Sequence, residues 1–197
     1  MSQKLTPSSL TAIEERDHAH FKSIPWCAEH LQSPIVTVFI PRSRSVKPSG
    51  EDNVFSRTLN TPETISNFMV FYEKPPSSSP APERVDELKA FLTLGNGVDG
   101  WPGVVHGGIV ATILDEMTGL LITPNIKANA IARADYMTAY LNTTFQGPVR
   151  TPGTILATAR IIKTEGRKLF VEGRIWDEKS TPLAKADALF VALRTKF

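Results

Sequence analysis

The chain is 197 residues long and 41% apolar, enough for one domain with a core and an extension. A net charge of +2 with both signs mixed excludes the strongly basic surface of a nucleic-acid-binding protein. The single cysteine, Cys27, excludes an internal disulfide framework and fits a reducing compartment. The longest apolar helix candidate, 109–122, is interrupted by Asp115 and Glu116, so no membrane span is expected. Glu14, Glu15 and Asp17 argue against a secretory or transit segment, so the expected location is cytoplasmic, with the mitochondrion as the alternative.

Residues 1–50 differ in pattern from 51–197 and read as an arm or lid ahead of a single domain. Within them, 11–21 suits a short helix capped by Ser9 or Thr11, and 35–40 a short β-branched strand. RSRSVKPSGED then reads as a mobile loop. A strand pattern covers 65–72 (ISNFMVFY), PPSSSPAPE at 75–83 reads as a spacer, and 85–94 is again extended. Turn residues fill 95–103.

A helix follows, with Ile109, Ile113, Leu114, Met117, Leu120 and Leu121 as a broad apolar surface. Gly108, Ala111, Thr112, Asp115, Thr118 and Gly119 share the complementary small, semi-polar face by helical spacing. Strands are expected at 136–145, 155–163, 168–176 and 183–193, the middle two as a hairpin. One helix with strands on either side predicts an α+β fold, an antiparallel sheet wrapped around a central helix.

The chemistry concentrates in GVVHGGIVATILDE, 103–116. His106-Gly107-Gly108 forms a tight turn opening into the helix, so a ligand can approach the backbone closely. First-turn amides are unpaired and sit at the positive end of the helix dipole, where an oxyanion could be held. Asp115, nine residues after His106, is a carboxylate in an apolar helix, costly unless paired, wet or functional. The bland alternatives are a turn that only caps a helix and an acid that makes a structural hydrogen bond. Cys27 reads as a packing residue, and His18, His20 and His30 lack metal-ligand spacing, so no metal is expected. Arg160, Lys163, Arg167 and Lys168 gather on the hairpin, either as a solvated surface or to capture phosphates. Arg42, Arg44 and Lys47 would serve the same end if the arm folds over the site.

The HGG turn, the acid nine residues on, and the strands MTAYLNTTFQGPV and LAKADALFVAL together resemble the hotdog-fold acyl-CoA thioesterases. The branch it resembles contains the phenylacetate-pathway thioesterases and the human mitochondrial and cytosolic acyl-CoA thioesterases, and the resemblance covers roughly 63–197. It implies that the Gly107 N–H polarises the thioester carbonyl and that Asp115 attacks it or activates water. Thr138 would orient water or the acid, and His106 would shape the turn and contact substrate. Gly108, Trp101, Thr112 and Met117 would line the substrate path, with Leu121 beside Met117 in the acyl tunnel. The family's polar residue before the histidine falls near Gly100, which leaves a second oxyanion donor unassigned. No cofactor is implied beyond coenzyme A as part of the substrate.

Gly107 and Asp115 are eight residues apart, about 12 Å along a helix. Two groups serving one carbonyl must each lie within about 3 Å of it. Active sites are therefore expected across a homodimer interface, and the resemblance adds dimers of dimers. The alternatives are product release from an acyl carrier protein, a non-catalytic acyl-binding protein, and a hotdog-fold hydratase that leaves the thioester intact.

Overall fold

In the computed structural model, which describes residues 12–74 and 84–194, the N-terminal part forms α1 (Ala12–Lys22), α2 (Pro25–His30) and β1 (Val36–Phe39). β2 (Ile65–Glu73) and β3 (Glu87–Leu94) follow. A small hairpin, β4 (Asp99–Trp101) and β5 (Val104–Val105), leads into α3 (Gly107–Leu120), which α4 (Ile122–Lys127) continues. β6 (Tyr136–Phe145), β7 (Gly153–Glu165), β8 (Lys168–Trp176) and β9 (Pro182–Ala192) come last. The expected cap at Ser9 or Thr11 and the spacer at 75–83 lie outside the described residues.

Seven strands form one antiparallel sheet in the order β1-β2-β3-β7-β8-β9-β6. It wraps around α3, which packs against β3, β6, β7, β8 and β9. This is the expected α+β architecture. The inner face carries the main core, including Phe68, Val70, Leu92, Ile113, Leu114 and Met117. The continuous apolar run of β2 has a second cause. Met69 and Phe71 point to the outer face, where they pack with Phe91, Leu156, Phe21 of α1 and Cys27 of α2. A strand buried on both faces needs no polar alternation. β8 is covered on one face only, and its burial alternates along its length.

The arm is held by buried polar contacts rather than left mobile. Asp17, 1% exposed, accepts hydrogen bonds from Asn67 Nδ2 (2.7 Å) and the Phe68 N–H (3.2 Å). They lie beside the irregularity in the β2–β3 register. The segment expected to be a mobile loop contains a short helical turn, Arg42–Arg44, with Arg44 buried. Its guanidinium donates to the carbonyls of Leu59 (2.8 Å), Ile65 (2.7 Å) and Phe55 (3.3 Å). Burial lowers its pKa to about 10.

Two readings of the helix need correction. Thr118 belongs to the core face: it is fully buried, donates to the Leu114 carbonyl (2.9 Å), and lies where a β-carbon on Gly173 would come within 2.9 Å of it. Glycine at 173 lets the helix sit directly on β8. The continuous helical stretch Gly107–Lys127, 21 residues, is also long and apolar enough to cross a membrane by length and composition, contrary to expectation. Here it is the helix that the sheet encloses, so its apolar residues are explained by packing.

Candidate active site

α3 begins with a side-chain cap. His106 Nδ1 accepts the Gly108 N–H (2.9 Å), and the His106 carbonyl accepts from Ile109 and Val110. Among the described residues the Gly107 N–H has no partner, so it is the free donor of this first turn. The turn is tight on its other side too. A β-carbon on Gly100 would lie 2.8 Å from the His106 Cα, which accounts for glycine where the resemblance led us to expect a polar residue. Asp99 locks the β4–β5 hairpin by accepting from the Gly103 N–H (3.0 Å) and the Thr151 hydroxyl, and these bonds hold its carboxyl below the usual range.

Two turns further along α3, Thr138 Oγ1 of β6 donates to Asp115 Oδ1 at 3.1 Å. The β6–β9 register slips immediately after Thr138, so that Ala139 is an extra residue between the Thr138–Phe190 and Tyr140–Leu189 pairs. Such a bulge re-aims a side chain at a sheet edge. Asp115 and Thr138 open into a cleft of about 930 Å³, which Glu116, Ser43, Arg42, Tyr72 and Phe190 also line. Ser43 of the arm, itself buried, donates to Glu116 Oε1. Burial of the Glu116 carboxyl raises its pKa. Asp52 and Asp115 push the same way, and the Ser43 bond and Lys47 oppose them.

The fold brings together Asp115 and Thr138 and leaves Gly107, with His106 and Gly108, at the other end of the helix. There, a β-carbon on Gly107 would lie 3.3 Å from Phe145 Cζ at the far end of β6. Met117 and Leu121, expected at an acyl tunnel, lie inward. Both are fully buried in the main core, on the same stripe of the helix as Ile113 and Leu114. Thr112 donates to the Gly108 carbonyl (2.8 Å). Trp101 is 75% exposed on β4 and is not part of the cleft lining.

The basic residues divide by environment. Arg44 is a structural pin, and Lys47 is paired with Asp52 and Glu51, so neither is free for a phosphate. On the β7–β8 hairpin, Lys163 pairs with Glu165 (2.8 Å) and Arg167 donates to the Ala192 carbonyl (2.9 Å), while Arg160 and Lys168 stand exposed. The hairpin lies outside the cleft, at the Thr138 end of the sheet: Thr138, Phe190, Leu169 and Thr164 share one rung. The sequence reading missed Ser43, Lys74 and Lys127 as cleft residues. No local pattern marked them, because β2, α4 and the arm meet there only in the folded chain.

Cys27 is buried in the outer cluster, and burial pushes its thiol up to about 12, so it is inert packing. Among the described residues, no group of three or more His, Cys, Asp or Glu is arranged to hold a metal.

The family model of the thioesterase superfamily matches residues 102–184, from the β4–β5 turn into β9. Acyl-coenzyme A thioesterase THEM4 of Mus musculus is 41% identical over 98 residues, 49% of this chain and 39% of that protein. The chain thus spans well under half the length of that relative. Verlamelin biosynthesis protein B of a Lecanicillium species is 26% identical over 204 residues, covering 90% of this chain and 88% of that protein. Among solved structures, zebrafish thioesterase superfamily member 2 superposes with a TM-score of 0.54 at 19% identity, over 77% of this chain and 92% of that one. A Bacillus halodurans protein solved with CoA superposes with a TM-score of 0.52 at 16% identity, over 96% of this chain and 99% of that one. At these identities the structural likeness bears on the fold alone. Residues 102–184 thus resemble the thioesterase superfamily, and the sheet that encloses one long helix has the hotdog fold.

Proposed function

We propose that the protein hydrolyses an acyl-CoA to a free acid and coenzyme A, at sites shared between two copies of the chain. The observation that carries this reading is the Thr138–Asp115 hydrogen bond in an open cleft. A thioester carbonyl is electrophilic and its thiolate leaves well, so a carboxylate suffices. Asp115 either attacks the carbonyl to form an anhydride that water then opens, or takes a proton from the attacking water. In both routes the C–S bond breaks, the sulfur leaves as thiolate, and the carbonyl oxygen carries negative charge in between. The Gly107 N–H is the donor for that charge.

One chain cannot supply both groups, since about 12 Å of helix separates them. The open edge of β6 supplies the second copy. Its ten residues lie at the sheet margin, with Met137, Tyr140 and Phe145 exposed. An unpaired edge of this kind is a template for another strand. Antiparallel pairing of two β6 strands, centred between Leu141 and Asn142, sets Thr138 opposite the partner subunit's Phe145. Thr138 holds Asp115, and Phe145 lies against Gly107. The pairing therefore brings each acid to the other chain's donor, two sites per dimer.

The printed name of THEM4 supports coenzyme A as the carrier, and the exposed Arg160 and Lys168 suit its phosphates. Verlamelin biosynthesis protein B, matched over 90% of this chain, is named for a biosynthesis, which supports a second reading, release of a product from an acyl carrier protein. A Candida albicans relative, 30% identical over 122 residues, is named as mitochondrial and supports that location over the cytosol.

The test is release of free thiol from short, long and aromatic acyl-CoAs and from acyl carrier protein thioesters, with wild type beside Asp115→Asn. We expect turnover on CoA esters that falls by at least about a hundredfold in the variant while the dimer persists. Turnover on carrier-protein esters alone would select the second reading. Full activity in Asp115→Asn would remove Asp115 from the mechanism.

A further inference from the structure

We propose that Glu116 and Ser43 together recognise a hydrogen-bonding substituent on the acyl group, so that the site selects acyl chains hydroxylated on the β or γ carbon over plain alkanoyl chains. The inference rests on the thioesterase reading and names its substrate class.

Four observations carry it. Glu116 follows Asp115 directly, about 3.8 Å away by Cα and about 100° around the helix, and both line the same cleft. A substituent that reaches Glu116 is therefore only a few carbons from the carbonyl held at Asp115. Next, Glu116 is fixed in place, because Ser43 is 5% exposed and donates to its Oε1. That contact comes from the arm, outside the residues that match the superfamily. Phe39, Tyr72, Leu120 and Phe190 of the same lining suit a carbon chain.

Finally, the carboxyl is desolvated, and burial with Asp52 and Asp115 nearby favours its protonated form against the pull of Lys47 and Ser43. In that form it can both donate to and accept from a substrate hydroxyl. A plain chain lying over it would leave the carboxyl oxygen that Ser43 does not bond without a partner. Sites built to bond a hydroxyl discriminate strongly against analogues that lack it.

The probes are non-hydrolysable coenzyme A thioethers of equal length, with and without a hydroxyl at the corresponding carbon, titrated calorimetrically into the full chain. Thiol release from the matched esters is followed in parallel. Wild type should bind the hydroxylated thioether at least about tenfold more tightly. Glu116→Met, similar in size but apolar, should bring the ratio close to unity. Glu116→Gln should keep part of it, and Ser43→Ala should reduce it. Circular dichroism checks that each variant is folded.

A wild-type ratio near unity, or equal weakening of both probes by Glu116→Met, overturns the proposal, because a merely structural glutamate does not distinguish the probes. A high binding ratio without thiol release from either ester supports the recognition and overturns hydrolysis. Thiol release with a flat ratio does the reverse, and failure to bind any thioether overturns both.

Discussion

Replacing Gly107 with proline removes one backbone N–H with little cost to the helix. Gly107 is the first helical residue after the His106 cap, a position where proline is favoured because its missing N–H would be unpaired anyway. His106, at φ −59° and ψ 134°, already has the extended backbone required of a residue before proline. The added β-carbon would lie 3.3 Å from Phe145 Cζ, so that ring must shift slightly. Loss of an oxyanion donor costs about 2.7–4 kcal/mol in the transition state, or about 10²–10³ in kcat.

The stronger test is complementation. Gly107→Pro and Asp115→Asn are each expected to be nearly inactive alone. If donor and acid come from different chains, each mixed dimer has one intact site and one doubly damaged site. Equal amounts, unfolded together and refolded, give about half mixed dimers and so about one quarter of wild-type turnover. Thiol release measured before and after co-refolding reads this directly. No recovery, with mixed dimers demonstrated by mass spectrometry, would refute a shared site.

Thr138→Ala removes the hydroxyl that donates to Asp115; we expect kcat to fall by about tenfold with dimerisation unchanged, measured by steady-state kinetics and light scattering. Asp17→Ala leaves the buried Asn67 amide and the Phe68 N–H without their acceptor. That should cost about 2–4 kcal/mol in urea unfolding, and an unchanged midpoint would mean that α1 is not pinned there. Glu116 binds its proton more tightly when folded than when unfolded. Its stabilising contribution is therefore present at low pH and is lost as pH rises through its raised folded value. Glu116→Gln should flatten unfolding free energy against pH above the ordinary glutamate range; an unchanged slope would show that the carboxyl is not perturbed.

Much of the candidate site is legible in the chain because its signals are local. The HGG turn, the spacing to Asp115 and the strand carrying Thr138 each depend on neighbours in sequence, and backbone geometry translates them into a helix start, a helix face and a strand. The errors came from contacts between distant segments. Helical spacing puts Thr118 on the small, semi-polar face, yet it is buried in the core, because periodicity alone does not say how far the sheet wraps. RSRSVKPSGED has the composition of a loop, yet Arg44 is buried because three carbonyls from separate turns converge on its guanidinium.

What the sequence determined alone was the order of the main elements, the antiparallel sheet with its enclosed helix, and a glycine turn with an acid eight residues after Gly107 on the same helix. Hydrophobic periodicity, turn residues and the fixed rise of a helix are enough for these. Tertiary structure decided which side of the helix is open, that the arm covers the outer sheet and sends Ser43 to Glu116, and that β6 is, among the described residues, an unpaired edge. Those outcomes depend on which surfaces meet after the chain has folded back on itself, and no local pattern encodes them.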